Sequence, residues 1–170
     1  MYCQHVFLIG MPGSGKSSLG RRVAQRLHLP YIDLDQYIES FEGMSVNEVF
    51  RQKGEAEFRK LETEALMSMC GFEPSVISTG GGTAMRDENV NLMRNMGVIV
   101  FIDRPLEQIL SDIKLDRRPM LQAGGKEKVV ELYNERYPRY KSVADYVFDN
   151  GQGFYNGMDQ LSELLGKAMQ

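Results

Sequence analysis

The sequence predicts an α/β fold, a mostly parallel five-stranded sheet with helices on both faces. Three observations predict it. Short apolar runs alternate with helical patterns along the whole chain. The clearest runs are apolar at every position, as in strands buried on both faces. The first of them, moreover, ends in a glycine-rich turn that opens an amphipathic helix.

Taken in order, Val6-Phe7-Leu8-Ile9 is the first strand, ending at Gly10. Ser17 to Leu27 follows as a helix, with Leu19, Val23, Ala24 and Leu27 at helical spacing. Tyr31-Ile32-Asp33, after Pro30, is the second strand, and Val76-Ile77-Ser78-Thr79 is the third, running into Gly80-Gly81-Gly82. Val98 to Ile102 is the fourth, closed by Asp103, and Tyr146-Val147-Phe148 the fifth. A last helix is expected from about Tyr155 to Met169. Two stretches break the alternation. Residues from about 34 to 69 are polar and helical in pattern, interrupted at Gly43 and Gly54. That is long for a crossover and is expected to form a small helical lobe over one end of the sheet. Residues from about 112 to 125 are charged and contain glycine and Arg117-Arg118, the composition of a mobile lid.

The composition bounds the function. A chain of 170 residues fits one domain with one core. A net charge of -3 argues against nucleic acid as the main partner. Cys3 and Cys70 are far apart, in no metal-like spacing, so two reduced thiols are expected rather than a disulfide framework or a zinc site. His5 and His28 are read as structural. No apolar run approaches the ~20 residues of a membrane span, and Val6 to Ile9 is too short for a signal segment. A cytoplasmic protein without a membrane partner is expected.

The strongest signal is Gly10-Met11-Pro12-Gly13-Ser14-Gly15-Lys16-Ser17-Ser18, which matches the P-loop pattern G-x-x-x-x-G-K-[ST]. Glycines let the loop wrap closely and point backbone N–H groups inward, and the positive end of the following helix faces the same spot. Lys16 can reach the β- and γ-phosphates, and the Ser17 hydroxyl suits Mg²⁺, which prefers oxygen. A triphosphate ligand follows. No N-K-x-D base-reading motif is present, and large ATPases need a longer core, so a small-molecule or nucleotide kinase is left.

Asp33 and Asp35 fall at the C-terminal end of the second strand, where parallel sheets face their ligand crevice. Asp33 suits a metal-bound water, and Asp35 suits an attacking hydroxyl. The competing reading is a helix cap by Asp35 ahead of Gln36-Tyr37-Ile38. The glycine triplet permits close approach of a ligand or is simply a flexible turn. Arg59 and Arg136, each taken alone, read as surface arginines.

Taken together, the P-loop, Asp33-Leu34-Asp35, Phe58-Arg59, Gly80-Gly81-Gly82, Arg118-Pro119-Met120-Leu121 and Arg136-Tyr137-Pro138-Arg139-Tyr140 resemble the shikimate kinase family over nearly the whole chain. The resemblance implies a P-loop kinase three-layer sandwich over residues 1–170, with a five-stranded parallel sheet, a helical substrate-binding lobe and a mobile lid. It implies an ATP-dependent kinase acting on the 3-hydroxyl of shikimate, in the pathway to chorismate and the aromatic amino acids. Lys16, Asp35 and Arg118 would be catalytic, and Gly13, Ser14, Gly15, Lys16, Ser17, Ser18 and Arg118 would hold the nucleotide. Asp35, Arg59, Gly80, Gly81, Gly82 and Arg136 would bind shikimate, the two arginines clamping its carboxylate. Ser17, and Asp33 through water, would hold Mg²⁺. A monomer is expected. The sequence departs from the family pattern at Ser111, where many members carry an adenine-packing arginine, and at Met120, where Leu is usual. Lys114 and Arg117 are candidate substitutes, and the loop Asn150 to Gly153 is a candidate for adenine contact. A gluconate or nucleoside monophosphate kinase, and a non-catalytic nucleotide sensor, are the competing readings.

Overall fold

Five strands, all parallel, form one sheet in the order β2-β3-β1-β4-β5 in the computed structural model, which describes residues 4–112, 124–152 and 154–168. They are β1 (His5–Ile9), β2 (Tyr31–Asp33), β3 (Val76–Ser78), β4 (Gly97–Asp103) and β5 (Tyr146–Asp149). The helices are α1 (Lys16–Arg26), α2 (Leu34–Glu42), α3 (Val46–Ser68), α4 (Asp87–Met96), α5 (Leu106–Asp112), α6 (Gly125–Val143) and α7 (Phe154–Ala168). All five expected strands are present, with ends displaced by a residue or so. Residues 113–123, which hold most of the expected lid, lie outside the described residues.

The runs of unbroken apolar residues reflect burial on both sides. In β1, Val6 and Leu8 pack with Leu19 and Val23 of α1 and Leu161 and Leu165 of α7. Phe7 and Ile9 point the other way, into a core with Leu66 of α3, Met93 of α4 and Val129 and Tyr140 of α6. Helices on each face make three layers. The connection from β1 to β2 runs through α1 on one face, and that from β3 to β4 through α4 on the other. The chain therefore diverges between the neighbouring strands β1 and β3. At such a divide the strand ends open a crevice for ligand.

The segment between β2 and β3 is helical, as expected. Asp33 caps α2: its Oδ1 accepts from the backbone N–H of Asp35 at 3.1 Å and of Gln36 at 3.3 Å. The cap is Asp33, so Asp35 sits at the second position of the helix and its carboxylate is available elsewhere. Gly43, at φ 68°, ends α2, and a Ser45–Glu48 capping box opens α3. Gly54, at φ 84° and ψ 172°, bends α3. Both conformations strain any residue with a Cβ. Among the described residues no helix is long and apolar enough to cross a membrane.

His5 is structural. Its Nε2 donates to the Met69 carbonyl at 3.0 Å, and its Nδ1 accepts from the Ser75 N–H at 3.2 Å. The ring is therefore neutral, and burial lowers its pKa below 6.5. Because the folded midpoint lies below the unfolded one, this stabilisation is full above pH 6.5 and is lost as pH falls through the folded midpoint. An NMR titration of the His5 ring should give a midpoint under 6.5, with Tm declining across it. An ordinary midpoint would contradict the assignment.

Candidate active site

The loop after β1 sits at the divide and leads straight into α1, which begins at Lys16. A phosphate cradle turns its N–H groups to the ligand, so its carbonyls must find partners elsewhere. Lys16 Nζ donates to the carbonyls of Gly10 at 2.7 Å and Met11 at 2.8 Å. Arg104, directly after β4, donates from Nη1 to Gly13 O at 2.9 Å. Asn150, directly after β5, donates from Nδ2 to Ser14 O at 2.8 Å. The two strands beyond β1 thus each send one side chain to brace the loop.

On the other side of the loop stand the carboxylates. Ser17 Oγ donates to Asp33 Oδ2 at 3.1 Å, so Asp33 both caps α2 and faces the first hydroxyl of α1. The Asp35 Oδ1 is buried and has no hydrogen-bond partner among the described residues. Burial first, then the charges of Glu62 and Asp33, push its pKa up to about 7, against the pull of Lys16. Glu62, fully buried on α3, takes Arg59 Nη1 at 2.6 Å on one oxygen and Thr83 Oγ1 at 2.6 Å on the other. Arg59 also reaches Glu55 at 3.3 Å. Behind them Thr63 donates to Asn89 at 2.7 Å, and Asn89 to the Thr83 carbonyl at 3.0 Å. The polar cluster thereby continues into the interior.

The glycine triplet after β3 is neither a loose turn nor chosen for positive φ, since none of its residues has one. It makes room. A Cβ on Gly80 would sit 2.9 Å from Glu62 Oε1 and 3.1 Å from Asp35 Oδ1. One on Gly81 would sit 3.2 Å from Arg136 Nη1, and one on Gly82 2.5 Å from Cζ of Arg59. Three charged side chains from α2, α3 and α6 each close on one of three successive residues. Arg136 is buried, with its Nε unpartnered among the described residues.

Gly13, Gly15, Lys16, Ser17, Ser18, Asp33, Asp35, Arg59, Gly80, Gly81, Gly82 and Arg136 all line one cleft of about 690 Å³. Ser14 is buried in the loop, and Arg118, Lys114, Arg117 and Met120 lie outside the described residues. Ser111 is exposed and donates to the Gln108 carbonyl at 2.9 Å. Sequence reasoning missed Glu62, Arg104 and the bracing role of Asn150. Two of them carried a signal: Glu62 lies one turn after Arg59, and Arg104 follows a strand whose end faces the crevice.

A parallel five-stranded sheet with a phosphate loop at its divide and a charged cleft beside that loop defines a P-loop kinase. The family model described as shikimate kinase matches residues 12–164. A shikimate kinase of Clostridium botulinum (strain Eklund 17B / Type B) is 40% identical over 160 residues, 94% of this chain and 96% of its own. One of Persephonella marina is 34% identical over 165 residues, 96% of this chain and 98% of its own. Among solved structures, the shikimate kinase from Acinetobacter baumannii in complex with shikimate has a TM-score of 0.89 at 30% identity, covering 98% of this chain and 93% of that one. The enzyme from Bacteroides thetaiotaomicron has a TM-score of 0.85 at 33% identity, covering 96% and 98%. The chain belongs to the shikimate kinase family.

Two predictions follow from the geometry. A carboxyl whose folded pKa is raised from 3.8 to about 7 stabilises the fold at low pH, and that stabilisation is lost as pH rises through the folded value. Without ligand, Asp35→Asn should therefore raise stability by roughly 1–3 kcal/mol near pH 8, and by less on acidification. An equal change at both ends, by denaturant titration, would refute the raised pKa. Gly82→Ala should displace the Arg59 guanidinium and raise the acceptor KM by about tenfold or more, the size of one lost charged hydrogen bond. An unchanged KM would show that the guanidinium has room.

Proposed function

We propose that this cleft passes the γ-phosphoryl group of ATP to the 3-hydroxyl of shikimate, giving shikimate 3-phosphate on the route to chorismate and the aromatic amino acids. One juxtaposition carries the reading: Asp35, Arg59 and Arg136 close on Gly80, Gly81 and Gly82 beside the phosphate loop. An acceptor with hydroxyls and one carboxylate matches that set, because planar guanidinium groups pair well with carboxylates.

Phosphoryl transfer asks mainly for in-line positioning and charge stabilisation. The loop N–H groups from Gly13 to Ser18, together with the Lys16 ammonium, take the charge of the β- and γ-phosphates. Arg59 and Arg136 hold the acceptor carboxylate, and the backbone of Gly80 to Gly82 meets its hydroxyls. The carboxylate of Asp35 accepts the proton of the attacking hydroxyl at its unpartnered Oδ1. A pKa of about 7 suits that task, because a base works best when its pKa lies near the operating pH. Arg118 is assigned to the transferring phosphoryl group. Mg²⁺ fits the donor set of Ser17 Oγ and Asp33 Oδ2, hard oxygens 3.1 Å apart. Ser17 would hold it directly and Asp33 through water, and it would supply charge neutralisation at the phosphates. The same reading takes the enzyme as a cytoplasmic monomer working without nucleic acid or membrane, and its net charge of -3 supports the first of those exclusions.

An assay of ADP release across shikimate, gluconate and a nucleoside monophosphate tests the reading. Shikimate alone should support turnover. Asp35→Asn should lower kcat by roughly 10²–10⁴-fold with ATP still bound. Turnover of gluconate but not of shikimate would overturn the assignment.

A further inference from the structure

Helix α6 enters the cleft through Arg136, and four residues later, on the same face, it carries Tyr140. Neighbouring side chains staple this part of the helix to the sheet ends. Tyr137 donates to Asp103 Oδ2 at 2.8 Å, and Arg139 donates to the Ala84 carbonyl at 3.1 Å. Tyr140 differs from both in facing inward. It is fully buried, its ring packed at 5.2 Å on Phe101. A phenylalanine would fill that space equally well and would bring no polar atom into the core. The hydroxyl therefore needs a reason, since a buried polar group costs free energy unless it is bonded.

The hydroxyl is bonded to the glycine turn: it donates to the Gly81 carbonyl at 2.5 Å. Met11 of the phosphate loop lies beyond, its sulfur 4.0 Å from the same oxygen. Burial pushes the phenol up to about 12, so it remains an O–H donor throughout the working range. One helical turn before Tyr140, Arg136 lines the cleft, and a Cβ on Gly81 would come within 3.2 Å of its Nη1.

We infer that Tyr140 is a positioning residue for the acceptor: its hydroxyl ties α6, one turn from Arg136, to the Gly81 carbonyl, and so sets where Arg136 and the glycine turn meet the same acceptor molecule. It touches no substrate. The inference rests on the acceptor reading proposed above, in which Arg136 takes a carboxylate and Gly81 a hydroxyl. Removing the hydroxyl leaves the glycine turn without its tie to the helix that carries Arg136. The damage should fall on acceptor binding and leave the nucleotide side alone.

The test is Tyr140→Phe in the full-length enzyme, measured by steady-state kinetics with ATP and shikimate. KM for shikimate should rise by about tenfold, the equivalent of one hydrogen bond of ~1.4 kcal/mol. KM for ATP and kcat should stay within about twofold. Arg136→Lys, alone and combined with Tyr140→Phe, supplies a cycle. If Tyr140 acts through Arg136, the double variant should show a smaller rise than the product of the two single ones. A lowered Tm with shikimate KM unchanged, an equal rise in both KM values, or strictly multiplicative effects would overturn the inference. Should Tyr140→Phe fail to fold, 3-fluorotyrosine at 140 keeps the ring and a more acidic hydroxyl. A shift in shikimate KM of twofold or more, without one for ATP, would then support the inference, and no shift would overturn it. A wild-type enzyme that does not turn over shikimate refutes the acceptor reading instead, so the two failures are separable.

Discussion

The site depends on a stretch of backbone kept bare. Asp35, Glu62, Arg59 and Arg136 come from three helices in different layers of the sequence, and their charged ends can meet only if nothing stands between them. Residues 80 to 82 supply that gap. A single methyl at any of the three would lie within about 3.2 Å of one of those side chains. The requirement is one of volume, since the backbone angles are ordinary. With the gap in place, two arginines and two carboxylates sit at the end of one strand. Arg59 and Glu62 answer one another, and two buried polar atoms, Asp35 Oδ1 and Arg136 Nε, have no hydrogen-bond partner among the described residues.

The nucleotide side follows a complementary logic. A loop that turns its donors inward must hand its acceptors to something else, and here the ends of β4 and β5 provide it through Arg104 and Asn150. Arg104 also pairs with Asp112 at 2.5 Å, so the braced loop is joined to the first residue of the expected lid. The phosphate cradle is in this way part of the sheet's edge geometry and is held from outside as well as from within.

The fold was largely readable from the chain because its signals are local. Continuous apolar runs such as Val6 to Ile9 report burial on both faces, Gly43 ends α2 and Gly54 bends α3. The phosphate loop was readable for the same reason, all its parts lying within nine residues. The acceptor side was harder. Arg59 and Arg136 are unremarkable in isolation and were picked out through a family resemblance. What joins them is a glycine turn distant in sequence from both. Glu62 and Tyr140 were missed because a buried carboxylate or phenol looks like any other until its partners are known. The competing reading, a cap by Asp35, named the wrong aspartate, since Asp33 is the cap. Both readings place the same residue types at a strand-to-helix junction, and only the turn geometry decides which one reaches the first N–H groups.

That junction shapes how replacements there must be read. Asp33 holds the start of α2 with one oxygen and faces Ser17 with the other. The helix it starts carries Asp35 at its second position. Any substitution at Asp33 therefore loosens the scaffold of Asp35 while it alters the surroundings of the Ser17 hydroxyl. A loss of turnover in such a variant measures the sum of two injuries, and neither can be credited alone.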